Sequence, residues 1–399
     1  MKKKLMALAI TGIFAMPAAA LAQGTNLTLF GSLQAEYATV NRDGQSSQAL
    51  IGDDTGRSKM GAHVTENLGS GFKVKARVEY GFNTGAGNLG GARERWVALA
   101  GDKWGEVKFG RVQSPFKDFA GGMTIDPFAY TTLQAAGSGG TMTASANGLG
   151  AGAMGFVNSA IRYDSPKVDG FSFAGLLMPG DSNRLDPANF IAPSGGFPGS
   201  QTNSGGEDGE WDFQVAGKYD TSLRDHHFAV FGGYSRDNVS ARQRIAQGLT
   251  NNEHVWRGGA SWSWQNFKLN GQYENVNNAV GAATCTNQAA LGDPATGSLD
   301  SRGQCNSAMN MGGDGNLWFA GGQYDWGNTS FIAQGGMSHA HATALSGKRE
   351  TSQFTVGVIH NLSSRSSLFG GYQRVMVGSG ASDFFRDMNI WSAGMRHNF

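Results

Sequence analysis

Charged and apolar side chains alternate along residues 73–80, which is the pattern of a β-strand whose two faces meet different surroundings. Lys75, Arg77 and Glu79 share one face of this strand. Lys59 lies on the polar face of the alternating segment before it. Rows of charged side chains attract or repel ions, but these rows contain no nucleophile next to a general base. The chemistry that they suggest is electrostatic selection of small ions, not catalysis.

Two other patterns resemble ligand sites. Gly150, Gly152 and Gly155 have the spacing of a dinucleotide fingerprint, but no strand precedes them and no helix follows, so a flexible loop is the better interpretation. His339 and His341 share a strand face without a nearby Cys, Asp or Glu, which favours a polar rim over a metal site. No Ser, His and Asp arrangement has a recognisable local context. We therefore predict no cofactor, no metal and no enzymatic activity.

The first residues have the features of an export signal. Three lysines, Lys2 to Lys4, precede an apolar run that ends in Ala20-Leu21-Ala22, and Pro17 interrupts the run. A basic head, an apolar stretch and an A-x-A ending are typical of a cleaved signal peptide. We expect cleavage after Ala22, which divides the chain into a signal peptide (1–22) and a single domain (23–399).

Charge and composition exclude several classes of protein. Losing three of the 32 basic residues would leave 29 against 31 acidic ones, a formal charge of −2 that argues against a nucleic-acid binder. After the signal there is no apolar run of the ~18 residues that a membrane helix needs. The chain nevertheless combines 61 glycines with 11 % aromatic residues. Strands with one lipid-facing and one water-facing side produce this mixture.

Alternation with a period of two recurs along the whole chain and predicts an all-β fold. Short turns join strands in pairs, and longer segments rich in Gly, Ser, Asn and Asp lie between the pairs, as in bacterial outer-membrane barrels. About sixteen strands are predicted, a number that leaves a water-filled lumen. They begin near residues 26, 57, 72, 92, 104, 156, 170, 210, 226, 253, 266, 315, 329, 349, 365 and 388.

Four segments of the chain contain recognisable motifs: Ser58–Lys73, Arg93–Arg111, Ile161–Phe173 and Met395–Phe399. The first three resemble hairpins of the Gram-negative general diffusion porins, and the terminal phenylalanine of the fourth is typical of substrates of the barrel-assembly machinery. Together they span the mature chain.

This resemblance implies a homotrimer of transmembrane antiparallel β-barrels in the outer membrane, each with its third long loop folded into the lumen. Passive diffusion of small hydrophilic solutes and ions is the implied function. Lys59 and Arg93 match basic wall residues of the family, and Lys75 and Arg77 point inward by alternation. Asp118 and Asp126 are the acidic residues of the loop.

Four cations against two carboxylates predict a modest anion preference at the constriction. Two features leave alternatives open. Residues 155–158 lack an arginine that relatives often carry, and Glu36 and Glu79 could cancel the basic strip. A substrate-selective channel remains the second interpretation, because an aromatic stripe for sugars cannot be recognised from the sequence.

Two further expectations concern a disulfide bond and the assembly of the barrel in the outer membrane. Cys285 and Cys305 would meet an oxidising compartment, so we expect a disulfide within the longest outer loop. Phe399 shares an outward face with Trp391 and Met395, and we expect it to act as the assembly signal. The expected partners are outer-membrane lipids, lipopolysaccharide and the assembly machinery; divalent cations bound at outer loops remain an alternative to solvated acids.

Overall fold

A computed structural model describes residues 25–42, 48–53, 57–85, 89–135, 155–179, 211–238, 251–279, 313–342, 347–378 and 387–399. The expected signal peptide, 1–22, and both cysteines, Cys285 and Cys305, lie outside the described residues. In the ranges that are described, no helix is long and apolar enough to cross a membrane.

Almost all of the described chain is β-structure. A short helix, α1 (Pro115–Asp118), and a 3-10 turn (Gly122–Thr124) lie between β6 and β7. The strands are β1 (Thr25–Arg42), β2 (Gln48–Gly52), β3 (Lys59–Gly69), β4 (Phe72–Phe82), β5 (Leu89–Gly101), β6 (Gly105–Gln113), β7 (Phe156–Asp164), β8 (Phe171–Pro179), β9 (Trp211–Leu223), β10 (His226–Asp237), β11 (Glu253–Trp264), β12 (Phe267–Ala279), β13 (Gly313–Trp326), β14 (Thr329–Ala342), β15 (Gly347–Asn361), β16 (Ser366–Val377) and β17 (Met388–Asn398).

The sheet closes on itself. From β3 to β17 each strand pairs antiparallel with the next, and β17 pairs with β1 from Ser32 opposite Asn398 to Arg42 opposite Met388. β2 and β3 pair with successive parts of β1, so these two strands share one position in the sheet. The result is a closed antiparallel barrel of 16 strands, which confirms the predicted fold class. A closed barrel leaves no free sheet edge.

The side chains are arranged inside out relative to a water-soluble protein. On β12, Leu269 and Tyr273 are 52 % and 53 % exposed, whereas Gln272 and Glu274 on the other face are 5 % and 0 % exposed. Apolar residues outside and polar residues inside are the pattern of a barrel surrounded by lipid. The alternation seen in the sequence therefore separates an outer apolar surface from an inner polar wall.

The two rims of the barrel differ. Two residues, Gln265 and Asn266, join β11 to β12, and two more join β13 to β14. Gln265 and Gly327 have φ values of 50° and 58°, the left-handed conformation that two-residue hairpin turns require. At the opposite rim the connections are longer, and residues 114–155 connect β6 to β7. Short turns at one rim and long loops at the other agree with the predicted asymmetry.

Candidate functional site

Segment 114–135, which follows β6, is anchored to strands distributed around the barrel. Gln214 on β9 accepts a hydrogen bond from the Phe116 amide at 2.8 Å. Gln334 on β14 donates to Asp126 at 2.9 Å. Further contacts to this segment come from Gln34 and Glu36 on β1, Arg257 on β11, Gln272 on β12, Gln373 on β16 and Arg396 on β17.

Apolar packing adds to these hydrogen bonds. Phe116 is fully buried in a cluster with Phe231 and Phe319 from the wall. Phe128 is fully buried in a second cluster, with Ile332. Burying a phenylalanine contributes about 1.5–3 kcal/mol, so the two rings anchor the segment at separate places along the wall.

Three of the four predicted basic residues surround one carboxylate. Glu79 on β4 is 0 % exposed, and its oxygens lie 3.2 Å from Lys59 Nζ, 2.5 Å from Arg77 Nη2 and 2.6 Å from Arg93 Nε. Arg77 also contacts Glu94 on β5 at 3.0 Å. The structure thus brings Lys59, Arg77 and Arg93 together, but around acids of the wall itself.

Lys75 belongs to a separate ladder of alternating charges. Its ammonium lies 2.5 Å from Glu106, Lys108 lies 2.9 Å from Asp164, and Asp164 lies 2.7 Å from Arg162. Arg162 also pairs with Asp118, so the ladder holds three cations and three carboxylates and contributes little net charge to the interior.

The two acids of the segment have other partners than the sequence suggested. Asp118 forms an ion pair with Arg162 on β7 at 2.8 Å. Asp126 accepts hydrogen bonds from the amides of Phe128 at 2.9 Å and Ala135 at 2.7 Å. These contacts hold the segment in place, so a role in opposing the basic wall stays a prediction for both residues.

The aromatic rings of Phe156 and Tyr130, which were not predicted as site residues, lie against two of the cations. Lys117 Nζ lies 4.1 Å from the Phe156 ring centroid and 5.6 Å from that of Tyr130. Arg93 lies over the same two rings, at 4.9 Å and 5.7 Å. A cation held against an aromatic face is stabilised by the ring quadrupole. Burial, together with the neighbouring Arg93, lowers the pKa of Lys117 well below its usual range.

Two more arginines face the interior and have neutral partners. Arg111 donates to the Asn158 side chain and to the backbone oxygens of Ala92 and Arg93. Arg396 donates to Gln34 Oε1 at 2.8 Å and to a backbone oxygen of the segment. No ion pair involves either arginine within the described part of the chain, so each adds its full charge to the interior.

The side chains of the site provide electrostatic fields and hydrogen bonds. Among the described residues, no group of three or more His, Cys, Asp or Glu side chains could hold a metal ion. The interior instead presents fixed charges at a place where segment 114–135 approaches the wall.

The family model of the Gram-negative porins matches residues 6–378. Outer membrane porin protein 32 of Delftia acidovorans is 28 % identical over 93 % of this chain and 88 % of its own length. Chitoporin of Vibrio furnissii is 30 % identical, but over only 36 % of this chain and 37 % of its own.

Solved structures agree in fold. The anion-selective porin from Comamonas acidovorans superposes with a TM-score of 0.61 at 19 % identity, covering 94 % of this chain and 100 % of that one. Salmonella typhi OmpF gives 0.60 at 11 % identity, with 94 % and 98 % coverage. Because the family model extends over nearly the whole sequence, the chain belongs to the Gram-negative porin family of outer-membrane channels and is not an enzyme.

Proposed function

We propose that this porin is a passive diffusion channel whose segment 114–135 folds into the lumen and narrows it. The observation that carries the proposal is the set of anchors from β1, β9, β11, β12, β14, β16 and β17. These strands occupy widely separated places in a closed barrel, and their contacting side chains lie opposite the exposed apolar face. A segment bound to all of them crosses the interior.

We also propose a modest preference for anions. Among the described residues in or next to segment 114–135, eight cations meet seven carboxylates, and in a narrow lumen with low-dielectric walls such an excess is focused. Lys117 is not counted, because burial lowers its pKa. The porin from Comamonas acidovorans, similar in fold, is described as anion-selective. The cations are Arg57, Lys59, Arg77, Arg93, Arg111, Arg162, Arg257 and Arg396, and the carboxylates are Glu36, Asp53, Glu79, Glu94, Asp118, Asp126 and Glu274.

Three features of assembly belong to the same proposal. Residues 1–22 are removed as a signal peptide, and Cys285 and Cys305 form a disulfide in an outer loop. Three copies form a homotrimer; a structural neighbour, OmpT of Vibrio cholerae, is known in a trimer form. Lipopolysaccharide and the barrel-assembly machinery are the expected partners during insertion.

Charge-altering variants test the anion preference. In planar bilayers with a potassium chloride gradient, the double variant Lys59→Gln/Arg93→Gln is expected to shift the reversal potential towards cations. Glu79→Gln is expected to shift it towards anions, because it removes the carboxylate that these cations share. Both shifts should be largest near 0.01 M salt, where the Debye length is about 30 Å. A wild-type pore that prefers potassium at low salt would show the assignment to be wrong.

A further inference from the structure

Three histidines lie on the outer face of the barrel, at the rim that the short turns form. They are His226 at the start of β10, His360 near the end of β15 and His397 near the end of β17. Each stands two residues from an exposed apolar side chain of its own strand, so it lies on the same, lipid-facing side. We call these three residues the histidine belt.

Aromatic side chains surround the histidine belt. His226 stacks against Trp262 and Trp264, and in both pairs the ring centroids are 5.8 Å apart. His397 stacks against Phe399, with 6.5 Å between the centroids. Aromatic side chains on the outer face of a membrane barrel gather at the two levels where lipid headgroups meet the hydrocarbon. The histidine belt therefore lies at the level of the headgroups.

Each ring of the belt uses only one of its two nitrogens within the protein. Nδ1 is in a hydrogen bond to a neighbouring strand, whereas Nε2 has no hydrogen-bond partner in the described part of the chain. His360 and His397 are exposed, and Nε2 of His226 is not buried either. An indole N–H can only donate, so the neutral ring of His226 carries its hydrogen on Nε2. The partners of Nδ1 are Trp262 Nε1 for His226 at 3.2 Å, Thr329 Oγ1 for His360 at 2.9 Å and Ser366 Oγ for His397 at 2.8 Å.

His227, the neighbour of His226, shows how a histidine of the same rim is arranged on the inner face. Its Nδ1 also has a hydroxyl partner, Ser222 Oγ at 3.1 Å. Its Nε2, however, lies 3.9 Å from the Asp220 carboxylate. The inward histidine thus has an acidic group of the protein at Nε2. The outward histidines leave the corresponding place to an acidic group from outside the protein.

Positive charge lies beside the belt. Arg365, in the turn between β15 and β16, is exposed, and no ion pair of the described residues includes it. Its carbonyl accepts from the Asn398 amide at 2.8 Å, which places this turn next to His397. The carbonyl oxygen of the terminal Phe399 is engaged by the Gly31 amide at 2.9 Å. The surroundings of the belt therefore favour an anionic group.

The phosphate group of a phospholipid has the chemistry that this surface fits. In bacterial outer-membrane barrels the short turns face the periplasm, so the belt lies in the leaflet on that side. An anionic phosphate accepts charge-assisted hydrogen bonds, which are stronger than neutral ones. We propose that the histidine belt binds phospholipid phosphates of the periplasmic leaflet, with Nε2–H of each ring as the donor. This inference concerns the lipid around the barrel and is independent of what crosses the pore.

Native mass spectrometry of the purified protein tests the belt, because it counts the lipid molecules that stay bound. Dioleoylphosphatidylglycerol is titrated against the wild type and against His226→Phe/His360→Phe/His397→Phe, which keeps three aromatic rings but removes their donors. The lipid concentration for half-occupancy should rise about tenfold in the triple variant, the equivalent of one hydrogen bond to a charged group at each site. A diacylglycerol glycoside with the same acyl chains has no phosphate and should bind both proteins equally.

His227→Phe is the matched control and should bind the phospholipid as the wild type does, because its Nε2 faces Asp220 on the inner side. The double variant His226→Phe/His360→Phe gives the same test at two sites without altering the stack on Phe399. Inorganic phosphate in excess should leave the lipid bound, since the acyl chains also contact the barrel. Displacement by phosphate, equal titrations of the wild type and both variants, or an equal loss for the glycoside would each overturn the proposal.

Discussion

Arg257→Leu is expected to lower the free energy of unfolding by about 3–5 kcal/mol, because it leaves Glu274 as a buried charge without its partner. The two side chains are both 0 % exposed and lie 2.6 Å apart. Arg257 also donates to the backbone oxygens of Phe116 and Ala120, so the variant loses an anchor of segment 114–135. Thermal unfolding in detergent and single-channel recording should show a lower melting temperature and larger current fluctuations.

A double variant separates the two effects. Arg257→Leu/Glu274→Leu removes both charges, and apolar replacement of a buried ion pair is often neutral for stability. Its melting temperature should return towards the wild-type value, whereas the fluctuations should persist, because the anchor to Phe116 and Ala120 is still missing. Quiet single channels from both variants would show that Arg257 does not position the segment.

Deleting Phe399 should remove most of the protein from the outer membrane. The terminal residue closes the seam of the barrel: its carbonyl accepts from the Gly31 amide at 2.9 Å, and its amide donates to the Gly31 carbonyl at 3.0 Å. Its ring lies over Gly31, where an added Cβ would be 2.2 Å from Cζ. Phe399→Ala should also reduce the yield, measured as folded protein in isolated outer membranes.

The conductance of the pores that do assemble should remain at the wild-type value, because Phe399 faces outwards and is 48 % exposed. Met395→Ala is the matched control, since Met395 occupies the same outward face and is 46 % exposed. Normal yield of the Phe399 deletion, or an equal loss in Met395→Ala, would refute a special role for the terminal residue.

Most of the barrel could be predicted from the sequence, because alternation is a local property. The strand starts near 210 and 388 agree with Trp211 and Met388. The start predicted near 57 agrees with β3, which begins at Lys59, but the additional strand β2 (Gln48–Gly52), which also pairs with β1, was not predicted. Nothing in the local pattern indicates that one strand position is divided in two.

The site was harder to predict, because it depends on contacts between distant residues. Arg396 could have been found, since it alternates with the outward Met395 and must face inwards. Arg93 and Glu94 are both buried, although neighbours in a regular strand point to opposite faces; the register shift between Val78 and Tyr80 allows this. The partners of segment 114–135 lie on strands that are distant in the sequence, and the segment itself has no repeating pattern that would predict them.

Liposome swelling tests most directly whether solutes cross this pore by passive diffusion. Liposomes containing the purified protein are placed in solutions of uncharged sugars of increasing size. The initial swelling rate should fall steadily with the molecular mass of the sugar and rise in proportion to its concentration. Saturation of the rate for one class of sugar, at concentrations where others still respond in proportion, would contradict the account and indicate a substrate-selective channel.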